Sequence, residues 1–146
     1  MRVLAIDPGK TTGFAEWRDR EFSAWAIAYD VALDFAMGQI MGSAVDHVVM
    51  EDFLISQRTV KLGTANWKPG KELEFIGAVR WACDQRDISF TTQTPSQTKS
   101  FATDAKLKHI GWWTKGLDHP RDATRHLMLW LVENKLLDPR SLVGGQ

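Results

Sequence analysis

The run Arg2-Val3-Leu4-Ala5-Ile6 stops at Asp7-Pro8-Gly9, and this junction constrains the chain more than any other feature of it. A short apolar run closed by a Pro-Gly turn signal reads as a buried strand that ends in a tight turn. The strand therefore delivers one carboxylate, Asp7, to its carboxyl end.

The rest of the pattern follows from that strand. Gly13 to Trp17 and Phe22 to Ile27 are apolar-rich runs separated by the charged Arg18-Asp19-Arg20-Glu21, so the first three strands form an antiparallel meander. From Val31 to Ala44, Leu33, Met37, Ile40 and Met41 recur at helical spacing, and Val48-Val49-Met50 then forms a fourth strand ending at Glu51-Asp52. A helical crossover makes that strand parallel to the first. Residues 54–70 lack any period, a second helix runs from about Lys71 to Arg86, and Ile88 to Thr92 is the fifth strand. Thr94-Pro95-Ser96-Gln97 has a capping residue, a proline at the first helical position and a capping-box glutamine, so a short helix follows. His119-Pro120 opens a last helix, whose buried face is Ala123, Leu127, Trp130, Leu131 and Val132. The expectation is one α/β domain over residues 1–146, a five-stranded mixed sheet flanked by helices.

Composition narrows the function classes. With 44% hydrophobic and 25% charged residues the chain is ordinary for a globular protein. No apolar run approaches the roughly 18 residues of a membrane span, so no membrane association is expected. Asp7 comes before any signal-type apolar segment is complete, which predicts a cytoplasmic protein. The single cysteine, Cys83, falls in an apolar helical stretch and is expected in the core. Net charge is zero but unevenly spread: residues 1–54 hold 4 basic and 9 acidic side chains, residues 55–115 hold 10 and 5, and residues 116–146 hold 4 and 4. An acidic start beside a basic middle suits a protein that gathers divalent cations next to a surface for phosphate.

Three carboxylates stand where such a sheet brings them together: Asp7, Glu51 and Asp122, the last in the first turn of the final helix. If the first and fourth strands are neighbours, Asp7 and Glu51 leave the same sheet edge about 5 Å apart. Carboxylates that close repel unless a cation lies between them. Mg²⁺ takes oxygen ligands and keeps several waters, which suits a few carboxylates plus a phosphate oxygen. Two such ions roughly 3.5–4 Å apart activate water and stabilise the leaving oxygen in phosphodiester hydrolysis.

The motifs carrying these residues resemble those of RuvC-type Holliday junction resolvases. Leu4-Ala5-Ile6-Asp7-Pro8-Gly9-Lys10-Thr11-Thr12-Gly13-Phe14-Ala15 looks like the first motif of that family, Val48-Val49-Met50-Glu51 like the strand with its glutamate, and His119-Pro120-Arg121-Asp122-Ala123 like its final element. The resemblance implies an RNase H-like fold and a homodimer that makes paired Mg²⁺-dependent incisions across a four-way DNA junction, leaving 5′-phosphate ends. It implies Asp7 as the ligand shared by two Mg²⁺ ions, with Glu51, His119 and Asp122 completing the sites and Mn²⁺ able to substitute. Asp118 competes with His119 for the fourth place. Asp52 and His126 are left outside the site: Asp52 is expected to be solvated, and His126, one helical turn after Asp122, is at most an outer partner of the ligands.

Gln93-Thr94-Pro95-Ser96-Gln97-Thr98-Lys99 resembles the family's stretch in which a lysine near a helix start approaches the scissile strand. Lys99 is the foremost phosphate contact, followed by Lys106 and Lys108. Arg58, Lys61, Lys68 and Lys71 form an acid-free basic stretch suited to DNA backbone, apart from Glu72 beyond it. Phe53 or Leu54 occupies the region where the family places an aromatic wedge. Of the seven tryptophans, Trp25, Trp81 and Trp130 are expected in the core, and Trp112-Trp113 are open between base stacking, a dimer contact and burial. The same fold could serve an RNase H-like nuclease acting on other branched DNA, replication forks or RNA, in a bacterium or a phage-infected cell. Asp7-Pro8-Gly9-Lys10-Thr11-Thr12 is also similar to the phosphate loop of actin-like and sugar kinases. Those enzymes close two such domains on a nucleotide, and 146 residues supply one.

Overall fold

Five strands form one twisted sheet in the computed structural model, which describes residues 1–42, 44–52 and 70–143. β1 (Arg2–Asp7), β2 (Thr11–Arg18) and β3 (Glu21–Ala28) make the expected meander, and β4 (His47–Glu51) and β5 (Ser89–Gln93) add on the other side. The order is β3-β2-β1-β4-β5, with β1, β4 and β5 parallel. β2 and β3 are joined by the two residues Asp19 and Arg20, both at positive φ (51° and 72°). A two-residue turn of that hand matches the twist of the strands it connects.

α1 (Tyr29–Gly42) is the crossover from β3 to β4, and α2 (Lys71–Gln85) precedes β5. Two short helices, α3 (Pro95–Phe101) and α4 (Asp104–His109), stand where one was expected. Each has its own cap, Thr94 for α3 with the full capping box and Thr103 for α4. α5 (Asp118–Glu133) is the last long helix, followed by a 3₁₀ turn at Pro139–Leu142. Among the described residues no helix is long and apolar enough to cross a membrane.

Strand alternation sorts the core into two layers. Leu4, Ile6, Phe14, Val48 and Met50 face α1 and α2, where they meet Ala32, Ala36, Ile40, Phe75, Val79, Ala82 and Cys83. Val3, Ala5, Ala15 and Val49 face α5 and pack on Ala123, Leu127, Trp130 and Leu131. Residues 3–6 are fully buried because β1 is covered on both faces, which is why they read as a continuous apolar run. At the centre of that face the strands present the small side chains Val3, Ala5, Ala15 and Val49, which let the helix lie close, with Trp17 and Phe22 packed beside them. Emptying Leu127 to alanine at this contact is expected to cost roughly 2–5 kcal/mol.

Cys83 is buried as expected, and burial pushes its thiol up to about 11. Trp130 is buried and Trp25 packs against the α1–α2 layer. Trp81 is not core: it is 56% exposed, because the buried stripe of α2 runs through Phe75, Val79, Ala82 and Cys83 and leaves position 81 on the outer side. The apolar neighbours Ala82 and Cys83 gave that tryptophan a false core context. α5 also begins earlier than its proline implied. Leu117 is the residue before the helix, so His119 is no cap and Asp122 is the fifth helical residue rather than part of the first turn.

Candidate active site

The carboxyl ends of β1, β4 and β5 lie side by side, and alternation decides what they present. Val3, Ala5 and Asp7 share the α5 face of β1. In the β1–β4 register Ile6 pairs with Met50, which puts Asp7 and Glu51 one residue further along neighbouring parallel strands. Glu51 in turn pairs with Gln93 at the end of β5. Opposite them α5 carries His119, Asp122 and His126, at three- and four-residue spacings that keep all three on one helical face.

Two glycines let the helix come this close. Gly13, the β2 partner of Asp7, has no room for a Cβ, which would lie 2.1 Å from the main-chain carbonyl of His119. A Cβ on Gly9 would lie 2.6 Å from the His119 ring. The later glycine of the first motif is thus explained by the approach of backbone to backbone.

Asp7 is buried, and its Oδ2 is 2.9 Å from His119 Nδ1. Burial pushes the Asp7 carboxyl above its ordinary range; the His119 bond pulls it down, while the charges of Glu51 and Asp122 push it up again. His119 is itself raised, chiefly by its bond to Asp7, against the opposing effect of burial. Glu51 Oε2 lies 3.3 Å from Nε2 of the fully buried His126, whose Nδ1 is 3.1 Å from Gln93 Oε1. Asp122 is held at both oxygens, by Lys99 Nζ at 3.2 Å and by the Arg125 guanidinium. Arg125 also binds Asp104 and donates from Nε to the Ala102 carbonyl at 3.1 Å, tying α5 to the α3–α4 junction.

The structure therefore gathers the four expected ligands, Asp7, Glu51, His119 and Asp122, in one neighbourhood but turns each carboxylate to a nitrogen of the protein. Among the described residues no three His, Cys, Asp or Glu side chains converge as a formed ligand set. The donor chemistry nevertheless fits a hard divalent cation: three carboxylates are close enough that two of them disturb the ionisation of the third. Lysine, arginine and imidazole supply the compensation that a cation would otherwise supply. Asp118, the other candidate for the fourth place, pairs with Arg121 and is exposed.

The expected DNA contacts divide. Lys99 is half-exposed beside Asp122, at the mouth of the site. Lys106 donates to the Phe101 carbonyl at 2.6 Å and lies over the Phe101 ring, and Lys108 lies over the Trp113 ring. Lys71 sits over the Tyr29 ring. Arg58, Lys61, Lys68, Phe53 and Leu54 fall outside the described residues. Trp112 stacks on Phe22, with ring centroids 4.4 Å apart, and packs against Trp17. Trp113 lies between Lys108 and Arg121. Both indoles are engaged within the fold.

Gln93 and Arg125 escaped the sequence reading. Ending the fifth strand at Thr92 left Gln93 just beyond it with no role, whereas it is the last strand residue and pairs with Glu51. Arg125 stands three residues after Asp122, a spacing that by itself announces an ion pair on a helix.

No family model and no curated protein matches the sequence. Among solved structures, the chain is similar to Thermus thermophilus RuvC in complex with a Holliday junction substrate, with a TM-score of 0.66, 15% identity, and coverage of 93% of this chain and 96% of that one. It is similar also to T. thermophilus RuvC alone, with a TM-score of 0.62, 14% identity, and coverage of 92% and 97%. The fold is thus the RNase H-like fold of RuvC, as the three motifs implied.

Proposed function

We propose that this chain is a divalent-metal-dependent endonuclease that resolves four-way DNA junctions, acting as a homodimer through paired incisions that leave 5′-phosphate ends. One observation carries the reading: Asp7 and Glu51 end adjacent parallel strands directly opposite His119 and Asp122 on one face of α5. The likeness in fold to a protein seen with a Holliday junction substrate supports the choice of substrate. The cell type that fits is a bacterium or a phage-infected host, with the protein in its cytoplasm.

Asp7, Glu51, His119 and Asp122 would hold Mg²⁺, with Mn²⁺ able to substitute. When bound, a pair of such ions supplies an activated water and charge stabilisation at the leaving oxygen. The side chains do the rest. Asp7 is fixed by the last residue position of a fully covered strand and by its bond to His119. Burial raises its carboxyl, so a cation held there would compete with a proton. Lys99, exposed beside Asp122, is placed to exchange its carboxylate partner for a phosphate oxygen of the scissile strand. Arg125 keeps Asp122 oriented while it braces α5 against the segment that carries Lys99.

The test is incubation of the protein with labelled four-way junction, matched duplex and single strand, in Mg²⁺ or EDTA, beside Asp7→Asn. The expected result is Mg²⁺-dependent paired nicking near the junction centre, lost in Asp7→Asn while junction binding persists. Cleavage indifferent to Asp7→Asn would remove the site assignment. Equal cutting of plain duplex, or preferential cutting of forks or RNA, would replace the junction by a wider substrate class. Sedimentation of a monomer at micromolar concentration would remove the dimer.

A further inference from the structure

Resting on the cation-site reading above, we propose that Gln93 and His126 are positioning residues for Glu51, forming a buried relay that fixes which Glu51 oxygen meets the cation. The three side chains come from β5, α5 and β4 and lie in a line: Gln93 Oε1 to His126 Nδ1 at 3.1 Å, then His126 Nε2 to Glu51 Oε2 at 3.3 Å. His126 is completely buried and Gln93 nearly so, while Glu51 is the only member that reaches solvent. The relay thus runs from the interior outward to the site.

Hydrogen-bond counting orients it. The amide nitrogen of Gln93 is buried without a partner among the described residues, and the amide oxygen faces Nδ1. In a neutral imidazole that arrangement puts the proton on Nδ1 and leaves the Nε2 lone pair facing a carboxylate oxygen, acceptor against acceptor. Turning the amide over removes both faults. Its nitrogen then donates to Nδ1, the imidazole proton sits on Nε2, and Nε2–H donates to Glu51 Oε2. The amide nitrogen gains the partner it lacks, and the carboxylate gains a donor inside a low-dielectric wall, where such a bond is strong. With Oε2 committed to His126, Oε1 is the oxygen left to a cation. Outer partners of this kind orient metal-binding carboxylates, and their loss commonly weakens metal affinity about 10–100-fold.

The pattern is specific to these residues. Glutamine, rather than an acid, at the end of β5 allows donation to Nδ1, which a carboxylate at that place would prevent. Histidine four residues after Asp122 brings the imidazole to Glu51, while the Asp122 oxygens are held by Lys99 and Arg125.

The experiment measures Mn²⁺ and Mg²⁺ binding to the whole protein by calorimetry, for wild type, His126→Ala, Gln93→Leu and Asp7→Asn. It is paired with ¹H–¹⁵N correlation spectra of the histidine rings. The expected outcome is the Nε2–H form of His126 in wild type, loss of that fixed form in Gln93→Leu, and cation affinity lowered about tenfold or more in both relay variants. A wild-type ring protonated on Nδ1 would overturn the relay, as would unchanged affinity in Gln93→Leu, a substitution of similar size that leaves His126 in place should His126→Ala fail to fold. Asp7→Asn separates the two levels. If it abolishes cation binding and the relay variants do not weaken it, the relay alone is wrong. If Asp7→Asn binds cations like wild type, the cation-site reading falls and the relay with it.

Discussion

His119 Nδ1 lies 2.9 Å from Asp7 Oδ2, joining the first turn of α5 to the last residue of β1. Both groups hold protons more tightly in the folded chain than outside it, His119 mainly through this bond and Asp7 mainly through burial. A histidine raised on folding contributes stability that is fully present below its unfolded value of about 6.5 and is lost as pH rises through its folded value. The raised Asp7 carboxyl acts with the same sign in a lower window that opens at the ordinary aspartate value. In EDTA, stability is therefore expected to fall as pH rises above about 6.5, and to fall less in His119→Asn. The His119 side chain is 43% exposed, so the difference should stay below about 1 kcal/mol. Urea unfolding at several pH values measures it, and equal slopes for the two proteins would contradict the assignment.

The two glycines beneath His119 should respond differently to alanine. At Gly13 the added Cβ meets main-chain atoms of His119 that cannot move without shifting α5, so a loss of about 3 kcal/mol or more is expected. At Gly9 the Cβ meets the imidazole, which can swing away. Gly9→Ala should cost about 1 kcal/mol or less, and its junction cleavage should drop as far as that of His119→Ala. Thermal melts and nicking rates on the same preparations separate the two. A Gly9→Ala protein with wild-type activity would show that His119 does not act from this position.

Much of this was legible in the sequence because the central strands are covered on both faces. Such strands read as unbroken apolar runs, and their ends announce themselves: Ile6 gives way to Asp7 and Met50 to Glu51. The caps at Thr94 and the buried face of α5 were equally plain, since capping and helical periodicity are local. What stayed hidden was set by tertiary contact. Trp81 lies among apolar neighbours, and only the packing of α2 shows which side of the helix is covered. Gln93 falls just past the expected strand end, and its place beside Glu51 shows only in the strand pairing. Of the partners of Asp122, Arg125 is local and its spacing was there to be read, whereas Lys99 comes from another helix and no local spacing foretold it.

Lys99 offers a separable contribution to DNA binding. Its ammonium is half-exposed and Asp122, its ion-pair partner, is also held by Arg125, so removal should change stability by less than about 0.5 kcal/mol. If it exchanges Asp122 for a phosphate, Lys99→Ala should weaken junction binding and lower the slope of log affinity against log salt by about 1. Fluorescence anisotropy with a labelled junction across a salt series is the measurement. Lys106→Ala should leave the slope nearly unchanged, because that ammonium already serves the Phe101 carbonyl. A larger change for Lys106 than for Lys99 would reverse their assigned roles.

Far from the site, His47 is expected to make the fold sensitive to mild acid. It opens β4, is buried, and stacks on Trp130 of α5 with ring centroids 4.3 Å apart. Its Nε2 is buried without a partner among the described residues, and burial pushes its pKa down to about 4. A histidine depressed on folding contributes stability that is fully present above its unfolded value near 6.5 and is lost as pH falls toward the folded value. Between pH 7 and pH 5 the loss should approach about 2 kcal/mol, an upper bound that relaxation around the ring would reduce. Carboxylates add their own acid sensitivity mainly below that range, so the comparison is with His47→Phe, which keeps a ring against Trp130 and cannot take up a proton. Denaturant midpoints for the two proteins should converge as pH falls from 7 to 5 if wild type starts higher, or diverge if His47→Phe does. Parallel midpoints would mean that the buried imidazole is charged or solvated in the folded state.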